Sequence, residues 1–361
     1  MRAVVKIGTS SITNALGELD DDALGKLCEE LVSAREAGHS VTLVCSGAIA
    51  AGMPALGLTK RPSDIGTLQA IAAVGQPRLM ARMSAMLGRH GVVAGQVLLT
   101  PYDFLHRTQY VHARETFTRL LDMGVVPVVN ENDTVADDEI RFGDNDRIAA
   151  LVANLIRADV LVILTDTAGL FTADPRLDVE ASLIEQIAAV DEALDAAVGG
   201  AGSARGSGGM ATKLAAARIA AWSGVRAVIA AAGAPGVITD AIAGRGVGTE
   251  VAARPERLTS RKLWIAFAVA AAGRIVVDDG ARRALVSDGR SLLAAGVLDV
   301  EGGFEAESAV EVVDSAGTVF AKGLVTIDSA AVRVAAGRRT SDLPVGTPTE
   351  VIHRDDLVVL E

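Results

Sequence analysis

Short apolar strands alternate with helical patterns over residues 3–231, and this alternation limits the possible folds more than any other feature of the chain. Residues 3–7, 41–45 and 160–164 are nearly all apolar, as is typical of strands buried on both faces of a parallel sheet. Apolar residues recur at i, i+3, i+4 and i+7 over residues 24–32, which indicates an amphipathic helix. We therefore predict an α/β fold, an open and mainly parallel sheet sandwiched by helices, with ligands outside the carboxyl ends of the strands.

The same patterns place the other elements of this region. Asp20, Asp21 and Asp22 precede the first helical stripe and are suitable N-cap residues. Further strands are predicted over residues 92–99, 125–130 and 225–231, and further helices over residues 66–88, 106–123, 148–156 and 211–223.

The pattern changes near residue 252. We predict a catalytic domain over 1–252, a linker over 253–272 and a small β-rich domain over 273–361, in which short β-like runs alternate with glycines. These runs cover residues 274–277, 309–313, 324–327 and 357–359. The β-rich domain has nine Lys and Arg against fifteen Asp and Glu, so it lacks the basic surface expected of an RNA-binding module.

The composition narrows the range of functions. The formal net charge of −11 argues against a general affinity for nucleic-acid backbones or anionic membranes, both of which need a basic face. The longest apolar stretch, residues 263–272, is too short to cross a bilayer, and Met1 leads directly into a strand rather than a signal peptide. Cys28 and Cys45 both fall in apolar segments. We expect a cytoplasmic protein with reduced cysteines and a small-molecule substrate.

Small residues follow the first two predicted strands. In the turn Lys6–Ser10, glycine would let the backbone approach a phosphate, hydroxyl groups would donate to it, and the lysine would supply a positive charge. The segment Ser46–Gly52 also leaves room for a ligand. A plain strand-to-helix turn and tight packing of a helix on the sheet are the respective structural alternatives. The location of both segments at carboxyl ends of strands favours binding.

Residues 206–213, GSGGMATK, open a predicted helix whose first amide groups point at any anion that the loop holds. Thr212 stands where a Walker A motif needs glycine, and no G-x-G-x-x-G occurs, so P-loop and Rossmann folds are disfavoured. A glycine-rich surface linker is the alternative. The chain has six lysines against twenty-eight arginines, which makes Lys6 and Lys213, both in glycine-flanked motifs, candidates for a specific role.

Residues 128–146, VVNENDTVADDEIRFGDND, hold seven carboxylates and three asparagines around one arginine. Residues 130–133 follow a strand, and residues 144–146 start a helix, where acidic side chains also serve as simple caps. Carboxylates can hold an ammonium group, coordinate Mg²⁺ or orient lysines, whereas asparagine amides can bind a carboxylate. A zwitterionic amino acid would use both kinds of group. For residues 137–139 we predict only a solvated flap.

Thr165 and Asp166 follow the strand over 160–164, and a loop over 169–175 comes next. This loop could bind the base or ribose of a nucleotide, or it could be a purely structural turn. The five histidines are scattered and no metal-ligand spacing occurs, so we predict no metal site built from protein side chains alone.

Together these motifs resemble those of the amino-acid kinase family, and within it the branch that phosphorylates glutamate. The resemblance covers nearly the whole chain, and the C-terminal segment is similar to a PUA domain. NEND followed by GDND is its most specific element and separates the chain from relatives that act on aspartate, carbamate, acetylglutamate or UMP. The other matching motifs are VVKIGTS, VCSGAIAAG, QAIAAVGQPRLM, LVILTDTAGLFTADPR and GSGGMATKLAAARIA.

The resemblance implies a role for each matching residue. Lys6, Lys213 and Asp146 would be catalytic, with Asp146 orienting the two lysines. The glutamate site would comprise Ser46, Asn130, Asp133, Asp144 and Asn145. The ATP site would comprise Lys6, Thr165, Asp166, Ser207, Gly208, Gly209, Met210, Ala211, Thr212 and Lys213. Many relatives carry a lysine where Arg141 stands, which leaves the role of Arg141 open.

The implied reaction is attack of the γ-carboxylate of L-glutamate on the γ-phosphorus of ATP with Mg²⁺, giving γ-glutamyl phosphate and ADP as the first step of proline biosynthesis. The resemblance also implies a homodimer or homotetramer, feedback inhibition by L-proline and glutamyl phosphate reductase as a partner. We do not expect the protein to bind a membrane or a nucleic acid. The alternatives are an RNA-binding or regulatory protein on a kinase-like scaffold and an amino-acid kinase with another carboxylate substrate.

Overall fold

The computed structural model describes residues 1–104, 106–135, 145–173, 175, 178–188, 209–267, 269–342 and 348–360. The chain divides into two compact units, Met1–Arg257 and Leu258–Glu361. Each unit has its own sheet and its own hydrophobic core.

The first unit is built on an eight-stranded sheet in the order β3-β4-β2-β1-β5-β7-β8-β6. Its strands are β1 (Arg2–Ile7), β2 (Ser40–Cys45), β3 (Ala94–Leu99), β4 (Val126–Glu131), β5 (Val160–Thr165), β6 (Gln186–Ile187), β7 (Arg226–Ala231) and β8 (Thr249–Val251). The first six strands in this order are parallel, β8 is antiparallel to β7, and β6 runs parallel to β8.

Helices cover both faces of this sheet. They are α1 (Asp21–Glu36), α2 (Ala48–Gly52), α3 (Ile65–Gly88), α4 (Arg107–Asp122), α5 (Asn145–Leu155), α6 (Met210–Trp222) and α7 (Val237–Ala243). Val5 of β1 belongs to the core that β1 forms with α1, α3 and α7, whereas Lys6 points to the opposite face and reaches α5. The predicted sheet sandwiched by helices is therefore confirmed.

Local sequence explains where two of the helices begin. The carboxylate of Asp20 accepts hydrogen bonds from the backbone N–H groups of Asp22 and Ala23, at 2.9 and 3.1 Å, so the predicted N-cap of α1 is confirmed. Asp64 caps α3 by accepting from the backbone N–H of Thr67 at 2.8 Å. Both caps satisfy donors that have no partner inside the helix.

Four short helices and strands of the first unit were not predicted from the sequence. Helices α2 and α7 span five and seven residues, and strands β6 and β8 span two and three. Such short elements cannot be recognised from the spacing of apolar residues, because one or two helical turns or two to three strand residues contain too few positions to show a period.

The second unit holds a six-stranded sheet in the order β10-β14-β13-β12-β9-β11, antiparallel except between β9 and β12. Its strands are β9 (Gly273–Val277), β10 (Leu292–Leu293), β11 (Val297–Gly302), β12 (Ala309–Val313), β13 (Val319–Val325) and β14 (Glu350–Val359). Its helices are α8 (Ser260–Phe267), α9 (Asp279–Val286) and α10 (Ser329–Ala335).

The second unit differs from the prediction in several places. Elements β10, β11, α9 and α10 were not predicted, and β13 and β14 begin before the predicted runs 324–327 and 357–359. Residues 260–267 form α8 within the predicted linker, because Leu263 and Ile265 are fully buried and α8 packs on β13 and β14. Strand β11 was missed because its register with β9 shifts between Val297 and Asp299, which breaks the alternation of apolar and polar residues. None of the described helices in either unit is long and apolar enough to span a membrane.

Candidate active site

Four neighbouring parallel strands, β4, β2, β1 and β5, bring predicted site residues to one edge of the sheet. Ser46 follows the end of β2, Asn130 lies near the end of β4, and Thr165 ends β5. Because parallel strands share a carboxyl edge, these residues meet there although they are far apart in the sequence. Asp146 and Lys213 lie near the starts of α5 and α6 and join them.

A left-handed glycine directs the chain away from the sheet after Ser46. Gly47 has φ +115°, and a Cβ at this position would lie 2.9 Å from Cδ1 of Ile12. Only glycine adopts this conformation without strain. The hydroxyl of Ser46 stays at the sheet edge, where it accepts a hydrogen bond from Nδ2 of Asn145 at 3.0 Å.

Lys6, Asp146 and Lys213 form a buried ion cluster. Nζ of Lys6 lies 2.5 Å from Oδ1 of Asp146, and Nζ of Lys213 lies 3.2 Å from Oδ2. The three residues are 3%, 2% and 6% exposed, respectively. The hydroxyl of Thr212 donates to the same Oδ2 at 2.8 Å. A single carboxylate therefore holds two ammonium groups in defined positions.

The electrostatics of this cluster favour an anionic ligand. Burial alone would raise the pKa of Asp146, but the charges of Lys6 and Lys213 outweigh it, and the pKa lies below its ordinary value. Two positive charges and one negative charge leave the three side chains with a net charge of +1. Positive side chains in a poorly hydrated site attract an anion more strongly than they would at the surface.

An amide network lies beside the ion cluster. Nδ2 of Asn145 donates to Oδ1 of Asn130 at 2.9 Å, and Nδ2 of Asn130 donates to Oε1 of Gln76 on α3 at 2.8 Å. The backbone N–H of Glu131 donates to Oδ1 of both asparagines, at 2.9 and 3.1 Å. Asn130 and Asn145 are almost fully buried, so these hydrogen bonds fix their orientation.

Asp133 lies in a 3₁₀ turn, Asp133–Val135, that follows β4 and packs against α3. Burial raises the pKa of Asp133 to about 6, and the positive charge of Arg61 only partly offsets this effect. A carboxylate in such a position is stabilised by any further cation, including the ammonium group of a ligand.

Two of the predicted nucleotide residues, Thr165 and Asp166, lie at the end of β5, which neighbours β1 on the side away from β2 and β4. The hydroxyl of Thr165 donates to Oδ1 of Asp166 at 3.0 Å, and Asp166 is exposed. Gly209 precedes α6 and has no side chain that could cap the helix. Within the described residues, the N–H groups of Met210 and Ala211 at the helix start donate to no backbone acceptor. Unused amides at a helix start are suited to phosphate oxygens.

Some predictions fall on parts of the chain that the structure does not describe. Asp144, Ser207 and Gly208 of the predicted site lie outside the described residues, as do Arg141 and the predicted flap over 137–139. The structure brings Lys6, Asp146, Lys213 and Thr212 together, and Ser46, Asn130 and Asn145 form a second connected group.

Two residues at this site were missed by sequence reasoning. Glu131 ends β4 with 2% exposure, although the strand was predicted to end one residue earlier. Gln76 belongs to the amide network but had no assigned role. A signal for Gln76 was present, because it stands between Gly75 and Pro77 inside a long helix, where both neighbours are unfavourable. Such local violations often mark functional or closely packed positions.

Comparison with known proteins identifies the family. A sequence model of the amino acid kinase family matches residues 1–231, and one of the PUA domain matches residues 273–345. The glutamate 5-kinase of Herminiimonas arsenicoxydans is 46% identical over 99% of this chain and 98% of its own length. That of Azoarcus sp. strain BH72 is 47% identical, with 99% and 97% coverage. The chain belongs to the amino acid kinase family and, within it, to the glutamate 5-kinase family.

A solved structure supports the fold. Carbamate kinase from Giardia lamblia bound to AMP-PNP aligns over 70% of this chain and 98% of its own length, with a TM-score of 0.51 and 19% sequence identity. The resemblance drawn from the sequence motifs, including the PUA domain at the C-terminal end, is confirmed.

Proposed function

We propose that this protein transfers the γ-phosphoryl group of ATP to the γ-carboxylate of L-glutamate, giving γ-glutamyl phosphate and ADP, the first step of proline biosynthesis. The observation that carries the proposal is the pair Lys6 and Lys213, held on Asp146 beside an amide network and a carboxylate, Asp133. Membership of the glutamate 5-kinase family supports the choice of substrate.

The proposed reaction needs no general base. A carboxylate acceptor is already ionised at neutral pH, so catalysis depends on in-line positioning and on stabilisation of negative charge on the transferred group. Lys6 and Lys213 would contact the phosphoryl oxygens, and Asp146 would orient both ammonium groups. Preorganised charges of this kind stabilise a transition state without reorganisation.

The two ends of the site suit the two substrates. Thr165, Asp166 and residues 207–213 would bind ATP, with the first amides of α6 directed to its phosphates. Ser46, Asn130 and Asn145, with Asp144, would bind glutamate. Asp133 would pair with the substrate ammonium group, which accounts for an otherwise unfavourable carboxylate in a half-buried turn.

Mg²⁺ is proposed to arrive with the nucleotide. Among the described residues, no group of three or more His, Cys, Asp or Glu is placed to hold a metal ion. Mg²⁺ is usually held by phosphate oxygens and water with at most one or two carboxylates, and the phosphates of ATP would supply the first of these ligands. When bound, Mg²⁺ would neutralise charge on the phosphates of ATP.

Further proposals concern the cellular setting. We place the protein in the cytoplasm, because Cys28 and Cys45 are both free thiols, which suits a reducing compartment. We also propose that it forms a homodimer or homotetramer. L-Proline would inhibit by occupying the amino-acid end of the site, since it carries the same ammonium and carboxylate groups. Glutamyl phosphate reductase would accept the product, because an acyl phosphate hydrolyses readily. The acidic PUA unit would have a structural or regulatory task.

The test is ADP release with MgATP and each of glutamate, acetylglutamate, aspartate, carbamate and UMP, with hydroxylamine added to trap an acyl phosphate. We expect ADP and hydroxamate only with glutamate, and less of both when proline is added. Activity with another acceptor and none with glutamate would overturn the proposal. RNA retention on a filter that weakens steeply with salt, without ADP release, would instead support the binding alternative.

A further inference from the structure

Helices α2 and α3 touch backbone to backbone, and this contact brings α3 to the edge of the site. A Cβ at Gly75 would lie 1.8 Å from the carbonyl oxygen of Ala48, and a Cβ at Gly52 would lie 2.2 Å from that of Ile71. No side chain fits at these distances, so both glycines are needed for this packing. Gln76 follows Gly75 and is therefore held within hydrogen-bonding distance of Asn130 on β4.

One backbone N–H sets the orientation of the whole amide network. The N–H of Glu131 can only donate, and it donates to Oδ1 of Asn130 and Oδ1 of Asn145. Each asparagine must therefore direct its Nδ2 elsewhere. Nδ2 of Asn130 meets Gln76 and requires an acceptor, so Oε1 of Gln76 is the atom that faces Asn130.

The amide nitrogen of Gln76 is consequently left for another partner. A carboxamide is planar, so fixing Oε1 on Asn130 also fixes the direction of Nε2 and its two N–H groups. Gln76 is half-buried, and within the described residues its Nε2 donates to no protein acceptor. Two oriented and unused donors at the edge of an amino-acid site are suited to a carboxylate oxygen.

We propose that Gln76 binds the α-carboxylate of the glutamate substrate, an inference that rests on the proposed function. The order of contacts distinguishes the two carboxylates of glutamate. Asp146 holds the lysines and adjoins Asn145, Asn145 contacts Asn130, and Asn130 contacts Gln76. Gln76 is thus separated by the most contacts from Lys6 and Lys213, the lysines that the γ-carboxylate must approach.

The position of Asp133 agrees with this assignment. Its turn packs against α3, the helix that carries Gln76. If Asp133 holds the substrate ammonium group, the carboxylate on the same carbon atom lies near α3 as well. Gln76 and Asp133 would then recognise the amino-acid end of glutamate through complementary groups, a hydrogen-bond donor for the carboxylate and a negative charge for the ammonium.

The decisive variant is Gln76→Glu. It keeps an acceptor for Asn130 and replaces the N–H groups by a negative oxygen that would face the substrate carboxylate. We expect the KM for glutamate to rise about 100-fold or more. Gln76→Ala should raise it about 10- to 100-fold through loss of a hydrogen bond to a charged group. The KM for ATP should stay within about threefold for both variants.

A structural role predicts the opposite order. If Gln76 only supports Asn130, Gln76→Glu retains that support and its KM for glutamate stays near the wild-type value, while Gln76→Ala is impaired; this result would overturn the inference. Gln109→Glu is the matched control for the added charge, since Gln109 is exposed on α4. It should leave both KM values unchanged.

L-Isoglutamine tests which carboxylate is bound, because it keeps the γ-carboxylate and replaces the α-carboxylate by an amide. Gln76→Glu should lower the preference for glutamate over isoglutamine, measured as the ratio of kcat/KM values, by about 100-fold. An equal loss with both compounds would refute the α-carboxylate assignment. Absence of wild-type activity with glutamate would remove the proposed function itself and this inference with it.

Discussion

Lys6 on the first strand and Lys213 on the sixth helix contact opposite oxygens of one buried carboxylate, that of Asp146. Neither lysine is near the other in the sequence, so their relative position depends on this shared partner. Without it, two positive charges in a poorly hydrated site would repel each other and pay a desolvation cost. The arrangement supplies a fixed pair of cations for a phosphoryl group.

Lys213→Ala should lower kcat by roughly two to four orders of magnitude, as expected when a preorganised charge is removed from a transition state. The fold should persist, because Asp146 keeps Lys6 as a partner. ADP release measures kcat, and circular dichroism checks the fold. Lys26→Ala, at an exposed position on α1, is the control. Near-normal turnover of Lys213→Ala would exclude Lys213 from the reaction.

Asp146→Asn should lower kcat strongly while the KM for glutamate changes little. The amide cannot balance the charges of Lys6 and Lys213, so their ammonium groups move apart and no longer match the phosphoryl oxygens. The loss should be roughly 100-fold or more, in the range seen when preorganised electrostatic groups are removed. Steady-state kinetics in both substrates measure it. An unchanged kcat, or an effect confined to the KM for glutamate, would contradict the orienting role.

Much of the first unit was predictable because its central strands, β4, β2, β1 and β5, are almost entirely buried. Residues 160–164 form a continuous apolar run, which is what a central parallel strand requires, and β5 occupies residues 160–165. The cap at Asp20 was also predictable, since it depends on neighbouring residues only. Strand β11 was not, because the shift in its register is decided by pairing with β9 rather than by its own sequence.

The sequence was enough to predict which residues belong to the site, but not which contacts they make with one another. Motif resemblance singled out Lys6, Asp146 and Lys213, and the structure brings their side chains together. Their roles remain predictions. The position of Gln76 depends on how closely α2 and α3 approach, which no periodicity encodes. Long-range helix packing therefore limits what a sequence alone can tell about this site.

Gly75→Ala should destabilise the protein and weaken glutamate binding together. Its methyl group would lie 1.8 Å from a backbone oxygen that cannot rotate away, so α2 and α3 must separate and Gln76 must shift. We expect a loss of at least about 1–3 kcal/mol in the free energy of unfolding. Gly66→Ala in the same helix is the control, because no atom lies within 4 Å of its added Cβ. Equal thermal denaturation curves for Gly75→Ala and Gly66→Ala would contradict the predicted loss of stability.

Asp133→Asn should raise the KM for glutamate far more than the KM for ATP, because the neutral amide cannot pair with the substrate ammonium group. Loss of a charged hydrogen bond in a half-buried site corresponds to about 10- to 100-fold. Initial rates at varied glutamate and ATP determine both constants. Similar changes in the two KM values would indicate a metal-binding or lysine-orienting role for Asp133 instead.

The raised pKa of Asp133 predicts two opposite pH effects. Because this pKa is about 6 in the free protein, kcat/KM for glutamate should fall as pH drops through 6, when the carboxylate needed for the ammonium group becomes protonated. The contribution of Asp133 to the free energy of unfolding should change with pH in the opposite direction. The folded state holds a proton on Asp133 that the unfolded state releases near its ordinary, lower pKa, so this contribution to stability is lost as pH rises towards and through 6.

Asp133→Asn separates the two effects. Without ligands it should raise the Tm at pH 8, where the wild-type carboxylate is charged and poorly hydrated, and change the Tm little near pH 4, where both side chains are neutral in the folded protein. It should also flatten the acidic limb of the kcat/KM profile for glutamate. Thermal denaturation at the two pH values and a pH profile provide the data. A lower Tm at pH 8, or an acidic limb that persists in the variant, would show that another group titrates there.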